Sequence, residues 1–162
     1  MRKKRDPKAI TGLLGVGSIF HGRIGFEGTL RIDGSVYGEI FCENDAFSTV
    51  VVTQGAEVEA DIVADIVVVS GKVWGNVKAI ERLELHREGQ IEGLVYTSDF
   101  HIKDGALFQG ECIMIRDWSA EKKRMLKLER FYGIHAKERT ADNPRIGEKG
   151  EGVEESFLRS IS

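Results

Sequence analysis

An all-β fold, a parallel β-helix of about six coils, is what this 162-residue chain predicts. Two observations carry that reading. The first is an apolar pattern written six times: apolar, any residue, apolar; a further apolar residue four or six positions on; Gly two later; an aliphatic two after that. The second is the placement of the special residues: Gly is abundant at 19, while Pro7 and Pro144 are the two prolines and lie outside the repeats. That is expected where nearly every backbone N–H joins a ladder. A self-similar unit of about 15 to 22 residues marks a solenoid, in which each coil buries its apolar face only against its neighbours.

Coil one reads Leu14/Val16, Phe20, Gly22 and Ile24; coil two reads Leu30/Ile32, Val36, Gly38 and Ile40. Coil three, Val50/Val52, Val58 and Ile62, has Ala60 in the Gly position. Coil four follows with Val67/Val69, Val73, Gly75 and Val77, and coil five with Leu83/Leu85, Ile91, Gly93 and Val95. Coil six closes with Phe100/Ile102, Phe108, Gly110 and Cys112. Apolar residues recur at a spacing of two, the period of a strand with one buried face. Ser70-Gly71, Gly55-Ala56, Glu88-Gly89 and Gly105-Ala106 sit where the chain has to turn. The four-versus-six spacing therefore reads as a tight corner and a corner enlarged by two residues. Between Ile40 and Val50 the chain is longer than in other units, and Glu43-Asn44-Asp45-Ala46 reads as a small extruded loop. The recurrent Gly reads as inward, at a bend of a narrow core with no room for a side chain.

Three segments follow from composition: a basic tail over 1–12, the β-helix over 13–115, and a C-terminal tail over 116–162. Residues 11–115 carry seven basic and sixteen acidic side chains, net −9, whereas residues 1–10 carry five and one. An acidic body disfavours nucleic acid; the basic start Arg2-Lys3-Lys4-Arg5 suits an anionic membrane or an acidic partner. No apolar stretch follows it as in a signal peptide, and no run approaches the roughly 20 apolar residues of a spanning helix. Two cysteines, Cys42 and Cys112, make no disulfide framework, and Cys112 stands at a core position. These features point to a cytoplasmic protein, with the inner face of the cytoplasmic membrane as a second station.

Catalytic and cofactor motifs are scarce. Gly12-Leu-Leu-Gly15-Val-Gly17 and Gly147-Glu-Lys-Gly150-Glu-Gly152 lack the order and the G-K-[ST] ending of a phosphate loop. His21, His86 and His101 fall on outward positions, with His101 beside Glu84 of the preceding coil. An enzyme, a metal site, a nucleotide and any other cofactor are therefore not expected. Two sets of apolar residues are informative instead. Coil one contributes Leu14, Val16, Phe20 and Phe26 to its inward layer, and coil six Phe100, Ile102 and Phe108, with Met114. Bulky residues thus collect at both extremities, where one side of the layer lacks a covering coil and strand edges are unpaired. They are the candidate polymer interface. Tyr37, Val51, Val68 and Trp74 break the polar rule on outward positions and form a candidate lateral or client surface.

The short coils with an apolar-x-Gly-x-apolar core, the segment Gly-Ser-Val-Tyr-Gly-Glu-Ile at 34–40 and the ending Gly-Ala-Leu-Phe-Gln-Gly-Glu-Cys-Ile-Met at 105–114 resemble the bactofilins over about residues 11–115. That resemblance implies a right-handed, three-faced β-helix with flexible tails. It also implies nucleotide-independent polymerisation into non-polar filaments that scaffold bacterial envelope and cell-shape machinery. Competing classes are a monomeric or dimeric adaptor binding a partner through its flank, and a left-handed hexapeptide-repeat acyltransferase. The latter is disfavoured because the six-residue step of Ile24, Leu30 and Val36 breaks at Ile40.

An amphipathic helix is a candidate over 118–132, with Trp118, Met125, Leu128 and Tyr132 on one stripe and Gly133 as its stop. Packing on the last coil, contact with a partner or membrane surface, and disorder all remain open for it. The polar stretch 136–162 reads as disordered, with Phe157-Leu158 as a docking peptide.

Overall fold

The computed structural model describes residues 9–43, 46–116 and 119–128. It is a parallel β-solenoid of about six turns, each turn laying one strand on each of three faces. Face one stacks β1 (Ile10–Leu14), β3 (Gly28–Ile32), β5 (Ser48–Val52), the end of β6 (Glu57–Val69), the end of β8 (Val77–Leu85) and β10 (Phe100–Ile102). Face two stacks the starts of β2 (Ile19–Phe26), β4 (Ser35–Cys42) and β6, then β7 (Lys72–Trp74) and the starts of β9 (Gln90–Thr97) and β11 (Leu107–Met114). Face three stacks the ends of β2 and β4, the middle of β6, the start of β8 and the ends of β9 and β11. Every one of these pairings is parallel.

The core is a set of aligned columns. Val36, Val58, Val73 and Ile91 lie in register up face two, and Ile40, Ile62, Val77 and Val95 up face three. All eight are buried, each contributing roughly 1.5–3 kcal/mol of side-chain transfer. The enlarged corners are tied by turns, with Ala56 N–H donating to the Thr53 carbonyl at 3.0 Å and Ala106 N–H to Lys103 at 3.1 Å. Between coils, Thr53 Oγ1 donates to Asp33 Oδ1 at 2.6 Å, beside Arg31 Nε at 2.9 Å. The Thr53 hydroxyl first, and then Arg31, hold the Asp33 carboxyl below the ordinary aspartate range.

Two sequence expectations change. In coil one the inward pair is Gly12/Leu14, in register with Leu30/Ile32. Val16 is therefore not inward; it sits in the turn before β2 and is 88% exposed. The corner of coil one is an enlarged one, closed by Ser18 N–H to the Gly15 carbonyl at 3.0 Å.

The recurrent Gly does not point into the core. Gly22, Gly38, Gly75, Gly93 and Gly110 sit at the bend between faces two and three with φ of 137–146°, a backbone region closed to L side chains. A methyl on Gly38, Gly75, Gly93 or Gly110 would overlap the carbonyl oxygen of the preceding coil. At Ala60 the backbone does not take a positive φ, so Ala fits. His101 lies beside Glu84 in register, as the sequence predicts, and its Nε2 meets Asp99 Oδ2 at 2.8 Å.

Polar residues line the bend as well. Asp61 Oδ1 accepts from Asn76 N–H at 3.1 Å, and Asn76 Oδ1 accepts from Leu94 N–H at 3.3 Å. These side chains satisfy backbone donors that the bend removes from the ladder.

Candidate functional site

The inward columns terminate in open layers at both ends. At the N-terminal end Leu14, Phe20 and Ile24 pack on the core but are only partly buried, and Phe26 is 8% exposed. At the C-terminal end Phe100, Phe108 and Cys112 are partly buried, and Ile102 and Met114 are exposed. Phe100 and Phe108 meet edge to face with centroids 5.3 Å apart, so the last layer is held in one arrangement. Desolvation raises the Cys112 thiol above its ordinary range. Both Cys42 and Cys112 are free.

The end coils carry more exposed apolar surface than the inward pattern foretold. Ile10, Leu13 and Ile19 are exposed on coil one, and Leu107 and Ile113 on coil six. Leu13 and Ile113 alternate with the inward residues, and Ile19 and Leu107 share one outward column of face two. Exposed aliphatic residues at outward positions of the first and last units were the available signal.

The described part of the C-terminal helix lies against the flank of the solenoid. It is α1 (Ala120–Leu128), and it packs against β8 and β6 on the side of the solenoid. Leu126 joins Ile80, Ile115 and Tyr96 in a small second cluster. Lys127, 7% exposed, places Nζ 2.6 Å from Asp65 Oδ2 and 2.5 Å from the Ala46 carbonyl. Asp65 Oδ2 also accepts from Ser48 N–H at 2.8 Å. A buried ion pair with further hydrogen bonds fixes the helix and the 46–47 end of the long loop in place.

The stripe expected from the sequence is therefore rotated. Met125 and Leu128 are exposed, while Lys123, Leu126 and Lys127 make the inner face, with Lys123 Nζ 3.6 Å from Glu81 Oε2. Trp118 and Tyr132 lie outside the described residues, as do Phe157 and Leu158.

The four lateral residues separate onto two faces. Val51 and Val68 are register partners on face one, each half-buried. Tyr37 and Trp74 stand on face two on either side of Glu59. With Glu57 they line a cavity of about 380 Å³. His21 stacks on Tyr37 with centroids 4.9 Å apart. Among the described residues no three His, Cys, Asp or Glu side chains gather as a metal site would require, and no helix is long and apolar enough to cross a membrane. Arg2, Lys3, Lys4 and Arg5 lie outside the described residues.

A family model, Bactofilin: Polymer-forming cytoskeletal, matches residues 12–113. The chain is similar to Bactofilin BacP of Myxococcus xanthus (strain DK1622), 32% identical over 102 residues, which are 63% of this chain and 41% of that protein. It is similar also to Bactofilin BacO of the same organism, 30% identical over 112 residues, 69% of this chain and 86% of that protein. The chain thus spans less than half the length of the first relative and most of the second. No solved structure gives a significant match.

Proposed function

The chain belongs to the bactofilin family, a family of polymer-forming cytoskeletal proteins, and from that premise we propose that it is a self-polymerising, nucleotide-independent scaffold subunit. Its filaments grow by end-to-end stacking of solenoids, each terminal coil completing the core of another copy. One observation carries this reading: both terminal layers are apolar and half-open, while the described C-terminal helix packs along the side. Burying Leu14, Phe20 and Ile24, or Phe100, Ile102, Phe108 and Met114, against a second such layer removes apolar surface from water and pairs the free strand edges. Association of this kind draws on affinity alone and uses no bound nucleotide.

Positioning of client proteins is the second part of the proposal. Tyr37 and Trp74 on face two are a surface left free by axial stacking. Arg2–Arg5 suit either an acidic protein surface or the inner face of an anionic membrane. Pelleting and negative-stain microscopy of the full chain in plain buffer test the assembly. Filaments are expected equally with and without ATP or GTP. A monodisperse monomer by light scattering across micromolar concentrations refutes it.

A further inference from the structure

We propose that the outward column of face two is a docking groove for a cationic extended segment, and that its occupant is this chain's own basic stretch, Arg2-Lys3-Lys4-Arg5. The inference goes beyond assembly and stands apart from it. Register places Tyr37, Glu59, Trp74 and Glu92 one above another on coils two to five, so ring and carboxylate alternate at the ~4.8 Å spacing of stacked strands. Glu57 flanks the column, in register with Lys72, and the groove it lines with Tyr37, Glu59 and Trp74 measures about 380 Å³. His21 closes one end by stacking on Tyr37. Trp74 keeps 36% of its surface exposed.

An alternation of carboxylates and aromatic faces suits arginine and lysine. The carboxylate takes the charge, and the ring face takes the guanidinium plane or the ammonium group. An apolar segment laid there would strip water from Glu57 and Glu59 with nothing in return, and an acidic one would be repelled.

Two observations select the occupant. The first is charge: residues 11–115 are net −9, and residues 1–10 carry five basic side chains against one acidic. The second is reach. The described chain starts at Ala9, just before β1 on coil one. Eight preceding residues span up to about 26 Å when extended. The groove begins one coil away and ends three coils away, about 5–15 Å along the axis. Across the solenoid it lies beyond face three, whose strand in coil one is the four residues Arg23–Phe26, about 13 Å wide. Arg2 and Lys3 reach it.

The test uses the full chain with Trp118→Phe, which leaves Trp74 as the one tryptophan of the sequence. Acrylamide quenching of Trp74 is measured with the native tail and with Arg2→Gln, Lys3→Gln, Lys4→Gln and Arg5→Gln together. Neutralisation is expected to raise the quenching constant about twofold, as a stacked cation leaves the ring. A peptide of residues 1–8 added to the neutralised chain is expected to restore protection saturably. Glu57→Gln/Glu59→Gln weakens that binding about tenfold, the scale of two exposed ion pairs. The control Asp104→Asn/Glu121→Gln leaves it unchanged.

Three results overturn the proposal. Equal weakening by the control pair reduces the effect to diffuse attraction for the acidic body. A peptide that floats with phosphatidylserine vesicles and leaves Trp74 unprotected assigns the tail to the membrane. Saturable peptide binding with no effect of tail neutralisation makes the groove a site for another protein's basic segment.

Discussion

Replacing Phe108 by Arg separates the end layer from the core. Phe108 is half-buried, follows Ile91 in register, and meets Phe100 edge to face at 5.3 Å. Its loss in the isolated subunit removes about half of a full burial of roughly 1.5–3 kcal/mol and an aromatic pair of about 0.5–1.5 kcal/mol. The sum is about 2 kcal/mol, which a domain stable by roughly 5–15 kcal/mol tolerates. The arginine itself turns its charge into the open side of the layer. In a tail-to-tail junction that side becomes a desolvated seam holding two like charges, at an effective several kcal/mol per ion. Every 1.4 kcal/mol is tenfold, so assembly weakens by about a thousandfold or more and filaments disappear at micromolar concentration.

The companion change, Val73→Arg, differs in kind. Val73 is 1% exposed and lies between Val58 and Ile91, so the charge has no open side and the solenoid unfolds. Circular dichroism and thermal melting report the fold, and pelleting with negative stain reports the polymer. The expected pair is a folded, non-pelleting Phe108→Arg and an unfolded Val73→Arg. Normal filaments from folded Phe108→Arg, or its unfolding, refute the assignment of the last coil as a junction.

Gly93→Ala is expected to lower the melting temperature well below that of Gly22→Ala. Both incur the strain of φ near 140°, about 1–3 kcal/mol, but only the Gly93 methyl overlaps a backbone oxygen, that of Gly75, whereas at Gly22 it meets the Phe20 ring at 3.6 Å. Equal melting temperatures argue against the close approach of coils as the reason for the glycine column. Lys127→Ala leaves Asp65 buried without its cation, a change of about 3–5 kcal/mol when borne locally. Hydrogen exchange should then accelerate over 120–128 while the coils stay protected and filaments persist; loss of filaments contradicts a lateral role for α1. Asp33→Asn tests the corner tie by pH. The carboxyl is held below its unfolded value, so its contribution is present above the unfolded pKa of about 3.9 and is lost as pH falls through the lower folded value. The gap in urea midpoint between wild type and Asp33→Asn should be constant near neutrality and close on acidification; a gap that widens in acid refutes the sign.

The solenoid, its six coils and the aliphatic columns of coils two to five were legible in the sequence alone. The reason is local: an inward column repeats the same residue class at the same point of every turn, and period-two alternation writes the buried face directly into the chain. Ile32, Val36, Ile40, Val58, Val73 and Leu85 are all buried where that alternation puts them. The concentration of Phe20, Phe26, Phe100 and Phe108 in the end coils was legible for the same reason.

What the sequence could not decide lies between coils or between elements. In sequence, coil one reads two residues late because Gly12 carries no apolar signal, and only the pairing of β1 with β3 fixes its place. The glycine column repeats visibly, but its cause is a bend with φ near 140° and a carbonyl oxygen from the preceding turn. The inner face of α1 is set by a lysine, since Lys127 reaches Asp65 and the Ala46 carbonyl, and Asp65 in turn accepts from Ser48 N–H, groups brought together from far apart in the chain. A charged residue at a buried position has no hydrophobic signature; only the arrangement of its partners makes its burial stable. Tyr37 and Trp74 become neighbours across Glu59 in the same way, because stacking turns a separation along the chain into a step of one coil.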